Sequence, residues 1–304
     1  VTQPSLVPDS QHRGLVSLLP PRLRDYAMLA RFDRPIGWWL LFWPCVWGVM
    51  LAGGEKRWDL VLWMLAGSIA MRGAGCVYND IVDADLDRRV ARTALRPVAS
   101  GRVSKGAAWA WLLILCGIGL VVLLQLRWEA QLVAVGSVVL VAGYPFMKRI
   151  TWWPQAWLGM VFTWGALVGW VEIRSDHLEA IGALYLGAIF WCIGYDTIYA
   201  LQDREDDALV GIRSSALRLG SRVRAGVGGF YALALAFWAL AFWAMRPDWV
   251  GLVALVPMAL HLGFQIVTLD PEDGENPLAR FRSNRDAGLV MALACWVVGN
   301  AGIV

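Results

Sequence analysis

The chain has 304 residues, of which 58% are hydrophobic and 17% charged, with a mean hydropathy of +0.53. Soluble domains are nearer half apolar and a quarter charged, so an ordinary soluble globular protein is excluded. The formal net charge is +3, and no nucleic-acid partner is expected.

In chain order, residues 1–30 are mostly polar and are expected to form a cytoplasmic N-terminal segment, ahead of a single membrane domain over 31–304. The chain starts at Val1 rather than Met, which a trimmed start or an alternative initiation codon would both give. More than thirty mostly polar residues precede the first apolar run, unlike a cleaved signal peptide. Nine apolar runs follow, near 36–53, 60–80, 107–126, 130–147, 155–172, 179–201, 225–245, 249–268 and 287–304. Runs of this length span hydrocarbon as helices, so the expected fold is an all-α polytopic membrane protein. Pro35, Pro44, Pro145, Pro154 and Pro257 are tolerable where neighbouring helices satisfy the freed backbone groups. Many of the 19 Trp, among them Trp58, Trp128, Trp152, Trp153 and Trp249, sit near run ends, as interfacial anchors do. Trp164 and Trp191 fall mid-run and are expected to pack or line a cavity. Five scattered Cys and three scattered His show neither disulfide nor metal spacing.

Lys and Arg set the orientation. With nine spans, 21 of the 27 fall on the side of the N-terminus, against five on the other. That bias places the N-terminus, and the loops that follow even-numbered spans, in the cytoplasm.

Two acidic stretches lie on that side. "CVYNDIVDADLDRRVARTALRP" (76–97) ends the second run, and "GYDTIYALQDREDDALVGIRSSALRLG" (194–220) ends the sixth. At about 100° per residue, Asn79, Asp83 and Asp87 stack on successive helical turns with Asp80 alongside, while Asp85 points away. In the second stretch Asp196, Tyr199, Asp203 and Asp207 share one face. Each stretch precedes an Arg-bearing segment, a pattern that an internal duplication or convergent loop chemistry would give. Carboxylates this close repel unless cations sit between them. Oxygen ligands without His or Cys suit Mg²⁺, which fills its remaining positions with water or phosphate. Two such sets could hold Mg²⁺ on a diphosphate, with arginines on the other phosphate oxygens. A solvated charged loop, or ion pairing with adjacent Arg, remains the competing reading.

Arg72 lies about two turns inside the second run. An arginine at that depth faces a cavity, snorkels or pairs with an acid. In "AGYPFMKRITWWPQ" (142–155), Lys148 and Arg149 form either a positive-inside anchor or an anion-binding wall. Arg31 and Arg34 in "RFDRPIGWWLLFWP" pose the same choice.

Together these stretches, with "YPFMKR" and the C-terminal "FRSNRDAGLV", resemble the UbiA superfamily of intramembrane aromatic prenyltransferases, and within it the 4-hydroxybenzoate polyprenyltransferase branch. The likeness runs from about residue 31 to 290. It implies a nine-helix bundle whose central cavity opens to the membrane, in the bacterial inner (cytoplasmic) membrane. The family's NxxxDxxxD motif falls on Asn79, Asp83 and Asp87, and its DxxxD motif on Asp203 and Asp207. The resemblance implies that these residues bind Mg²⁺ and a polyprenyl diphosphate, with Arg149 in substrate binding. Asp85 stands where a basic or polar residue is usual.

The expected reaction attaches the prenyl group to 4-hydroxybenzoate ortho to its hydroxyl, in ubiquinone biosynthesis. Asn79, Asp80, Asp83, Asp87, Asp203 and Asp207 are the candidate metal ligands. Arg72, Lys148, Arg149, Arg34, Asn79 and Tyr199 are candidate substrate contacts. Arg34 or Arg149 would take the benzoate carboxylate, and Asp196 would polarise the phenol. The alternatives are another aromatic acceptor (a naphthoate, homogentisate or a tetrapyrrole precursor) or a cation-coupled transporter. Transporter sites sit near the midplane, whereas both acidic stretches lie at one face.

Overall fold

The computed structural model describes residues 15–89, 93–204 and 213–300, and every regular element among them is helical. The side chains of Leu15, Lys148, Arg149 and Asp203 lie outside that description. The helices are α1 Pro21–Leu29, α2 Ile36–Leu51, α3 Trp58–Val82, α4 Ala84–Asp87, α5 Lys105–Leu123, α6 Trp128–Ile150, α7 Pro154–Thr163, α8 Gly165–Ile173, α9 Leu178–Tyr199, α10 Ser215–Leu219, α11 Val223–Met245, α12 Trp249–Ala254, α13 Val256–Thr268, α14 Asn276–Arg282 and α15 Asn284–Asn300.

Among the described residues, seven helical stretches are long and apolar enough to cross a membrane. The first and last expected spans are also helical but shorter, at 16 residues in α2 and 17 in α15. Among the described residues each of the nine expected runs is helical over most of its length, and the chain is a multi-pass membrane protein. Two runs are interrupted. The fifth breaks at Trp164 into α7 and α8, and the eighth breaks at Leu255 into α12 and α13. Pro257 sits in the first turn of α13, where its missing N–H costs the helix nothing. The outward faces of α5 and α6 carry Leu113, Ile118, Val121, Leu132 and Val139, all exposed. In water so much apolar surface would be an aggregation liability; in a bilayer it is the solvated face.

The chain divides into two compact units. The first comprises residues 1–39 and 63–125. Its core is Leu29, Ala74, Val77, Ile81, Val98, Val103 and Leu115, with Tyr26 and Trp111 packed against it edge to face. Pro21 opens α1 at a position that tolerates it, and the Ser104 hydroxyl caps α5 by accepting from the Ala107 N–H at 3.2 Å. Between α1 and α2, Arg31 adopts a left-handed backbone with φ 59°, a conformation that costs a non-glycine residue on the order of 1 kcal/mol.

The second unit comprises residues 40–62 and 126–304. Its core is aromatic: Trp47 meets Trp191 and Trp238 at ring separations of 5.0 and 5.6 Å, and Trp191 meets Tyr195 at 4.7 Å. The three central indoles, those of Trp47, Trp191 and Trp238, each have an acceptor. Trp47 donates to the Gly288 carbonyl, Trp191 to Asn284 Oδ1 and Trp238 to the Leu184 carbonyl, at 2.9, 2.8 and 3.3 Å. Within this unit α2 and α8 approach until backbone meets backbone. A Cβ on Gly48 would collide with the Ala166 carbonyl, and one on Gly169 with the Cys45 carbonyl.

Backbone cannot yield as a flexible side chain does. Gly48→Val is therefore expected to destabilise the protein by roughly 1–3 kcal/mol, the usual cost of overpacking. This should appear as a lower melting temperature in detergent, with Gly117→Val, at a glycine with open space around it, as the control.

Candidate functional site

The first acidic stretch runs off the end of α3. Asp83 is a bend residue with φ −90° and ψ 3° that caps α4. The α-helical spacing survives the bend: the Asp83 N–H donates to the Asn79 carbonyl at 2.9 Å and the Asp87 N–H to the Asp83 carbonyl at 2.8 Å. The turn-by-turn stacking expected from the sequence therefore holds. Asp80, Asp83 and Asp87 are 1%, 8% and 6% exposed. The Asp85 side chain is 71% exposed and pairs with Arg88 and Lys105, so it lies away from the buried three.

Burying carboxylates is unfavourable unless they are compensated, and two arginines supply part of the compensation. Arg31 Nη2 donates to both oxygens of Asp80 at 2.8 and 3.1 Å. Arg96 Nη1 donates to Asp87 Oδ2 at 2.9 Å and reaches Asp80 Oδ1 at 3.4 Å. The Thr93 hydroxyl donates to the Asp87 carbonyl at 3.0 Å and closes the turn. Burial pushes the Asp87 carboxyl above the usual carboxylate range; Arg96 opposes this and Asp80 adds to it. The Asn79 side-chain oxygen is buried and has no hydrogen-bond partner among the described residues.

The Arg72 guanidinium lies against the first turn of α2, where a Cβ on Gly37 would come within 2.5 Å of its Nε. Only glycine leaves that space. Arg34 Nε donates to Asp33 Oδ2 at 3.2 Å, and Asp33 is buried. Lys148 and Arg149 lie in the last turn of α6, with their side chains outside the description.

In the second acidic stretch the helix changes type. α9 ends at Tyr199, and residues Ala200–Asp203 form a 3₁₀ turn. A 3₁₀ turn advances about 120° per residue rather than 100°. The shared face drawn on a uniform α-helix therefore does not carry unchanged from Tyr199 to Asp203. Asp196 and Tyr199 are half-buried, and Tyr199 packs against Phe281 with the rings tilted, at a centroid separation of 4.6 Å. The Asp203 side chain and the whole of Asp207 lie outside the described residues.

Among the described residues no three His, Cys, Asp or Glu side chains gather as a ready metal cage. The first stretch still suits a hard cation. Two buried carboxylates, Asp83 and Asp87, and the buried, unpartnered amide oxygen of Asn79 offer oxygen donors one turn apart along the chain. Sequence reasoning missed Arg96. The sequence marks its segment only as Arg-bearing, and no periodicity links residue 96 to residues 80 and 87.

Comparison with known proteins gives a consistent picture. Residues 41–296 match the family described as the UbiA prenyltransferase family. The chain is 42% identical over 294 residues to "4-hydroxybenzoate polyprenyltransferase, mitochondrial" of Drosophila pseudoobscura pseudoobscura, covering 95% of this chain and 74% of that one. It is 39% identical to the protein of the same name from Homo sapiens, covering 98% and 83%. In three dimensions it is similar to a UbiA homologue from Archaeoglobus fulgidus bound to GPP and Mg²⁺, with a TM-score of 0.66, 17% identity, and coverage of 90% and 99%.

The two kinds of ion pair predict different costs. Asp80→Asn leaves Arg31 buried without its counter-charge and is expected to destabilise by roughly 3–5 kcal/mol. Asp85→Asn removes only exposed pairs, worth at most about 1 kcal/mol. Thermal melting of the two variants in one detergent compares them directly, and equal shifts would contradict the assigned burial.

Proposed function

The chain belongs to the UbiA prenyltransferase family, and on that premise we propose that it transfers a polyprenyl group from a polyprenyl diphosphate to 4-hydroxybenzoate in ubiquinone biosynthesis. The observation that carries this is the buried acidic face at the end of α3, in a chain whose curated relatives are named for that activity. The C1–O bond of the prenyl diphosphate breaks and its electron pair leaves with diphosphate. The ring carbon ortho to the hydroxyl bonds to C1 and then loses its proton, which restores aromaticity.

Asn79, Asp83 and Asp87 are assigned to divalent-cation and diphosphate binding, with Asp203 and Asp207 of the second stretch in the same role. Mg²⁺ is the proposed ion, as in the Archaeoglobus fulgidus homologue; when bound it supplies Lewis-acid stabilisation of the departing diphosphate. Asp80, a candidate ligand by its place on the helix, is assigned instead to positioning, because Arg31 engages both its oxygens. Arg72, seated on Gly37, Arg34, beside Asp33, and Lys148 and Arg149, at the end of α6, are assigned to the anionic groups of the two substrates. Tyr199 is assigned to the substrate and Asp196 to the phenol hydroxyl. The apolar helices keep water from a prenyl cation that water would quench.

Residues 31–304 are treated as one membrane prenyltransferase domain behind a cytoplasmic segment, 1–30. The relatives named above are mitochondrial. The bacterial inner membrane remains the proposed location, with the N-terminus on the cytoplasmic side as the one-sided distribution of Lys and Arg supports.

With purified protein, Mg²⁺, a prenyl diphosphate and labelled 4-hydroxybenzoate, Asp83→Ala and Asp203→Ala should each lose about 100-fold or more of turnover. EDTA should abolish it. Wild-type rates in either variant, or turnover insensitive to EDTA, would remove the metal assignment.

A further inference from the structure

The Arg96 contacts have the geometry of a placeholder. Arg96 holds Asp87 at 2.9 Å and reaches Asp80 at 3.4 Å through the same nitrogen. Asp80 is already committed, because Arg31 occupies both of its oxygens from a backbone conformation that costs the chain energy to hold. Arg96 therefore matters chiefly to Asp87, and Asp80 matters to Arg96 as a second, looser point of hold. Asp87 is also one of the carboxylates assigned above to the divalent cation. A guanidinium and a dication on one carboxylate repel, so each weakens the other's hold on Asp87.

The backbone around Arg96 is pinned. Arg102 Nη2 donates to the Leu95 carbonyl at 2.7 Å, and Arg102 pairs with Asp25 of α1 at 3.1 Å. Arg88 Nε donates to the Ala99 carbonyl at 3.0 Å. Any exchange of partner thus falls to the Arg96 side chain. Its Nε is buried with no partner among the described residues, so its donor fork is only partly used. A guanidinium displaced from one anion needs another, and a diphosphate presents oxygens that match the fork.

We propose that Arg96 is the resident counter-ion of Asp87 in the ligand-free protein and passes to the diphosphate when the divalent cation takes Asp87. Asp80, fixed by Arg31, keeps it within reach. This rests on the cation–diphosphate reading of the first acidic stretch and deepens it: one arginine opposes the bare cation and favours the cation with its diphosphate. The site would then discriminate against filling with metal alone.

The test needs no turnover. Full-length protein in detergent is titrated calorimetrically with MgCl₂ alone, and then with inorganic diphosphate at saturating Mg²⁺. Arg96→Gln should bind Mg²⁺ alone several-fold more tightly than wild type, since a competing cation is gone. It should bind diphosphate roughly tenfold or more weakly, the worth of one charge-assisted hydrogen bond. A merely structural role would weaken both, and that result, or no change in either, overturns the proposal. Should Arg96→Gln fail to fold, Arg96→Lys keeps the charge and loses the fork. It should bind Mg²⁺ alone as wild type does and diphosphate more weakly, and weakening of both or of neither overturns the proposal. If wild type binds neither Mg²⁺ nor Mg²⁺ with diphosphate, the site reading itself fails and this inference fails with it. If wild type binds both and the variants do not split, only the role of Arg96 fails.

Discussion

The Arg31–Asp80 pair is the interaction on which the first unit depends. Asp80 is 1% exposed at the end of an apolar helix, where a carboxylate without a partner is costly. Arg31 meets it across 49 residues, with one nitrogen donating to both oxygens. The pair ties the turn between α1 and α2 to the end of α3, and the left-handed backbone at Arg31 is the local cost of aiming the guanidinium. With Asp80 anchored, Arg96 is drawn onto the same acidic face, and its segment is pinned in turn by Arg102 and Thr93. Asp87 is thereby held buried one turn after Asp83, which is also buried.

The second unit solves a different problem by a different route. Its interior is a connected set of rings from Trp238 through Trp47, Trp191 and Tyr195 to Phe281 and Tyr199. Hydrogen bonds thread through it. Asn284 accepts from Trp191 and donates to the Arg280 and Phe281 carbonyls, while Tyr231 donates to Gln265, which donates to Ser283. That order reaches the end of α9, where Tyr199 packs on Phe281 just before the 3₁₀ turn that leads into Asp203.

Much of this was legible in the sequence because it depends on local periodicity. The apolar runs locate every long helix, and the 100° wheel separates exposed Asp85 from buried Asp80, Asp83 and Asp87. Where periodicity fails, so does the reading. The 3₁₀ turn at Ala200–Asp203 carries no compositional mark, and the break at Trp164 lies in an unbroken apolar run. Arg96 escaped notice for another reason: its contacts to Asp80 and Asp87 come from how the turns after α4 fold back, which residue spacing does not encode. Gly37 is a further case, since its role is visible only once Arg72 is seen lying on it.

The structure of the product tests the central claim most directly. Wild-type protein reconstituted in lipid with Mg²⁺, a polyprenyl diphosphate and ¹³C-labelled 4-hydroxybenzoate should yield a single product. Its NMR spectrum should show the prenyl C1 bonded to the ring carbon ortho to the hydroxyl, with diphosphate released in equal amount. An O-prenylated product, transfer only to a different aromatic acceptor, or cation flux across the vesicles without any covalent product would contradict it.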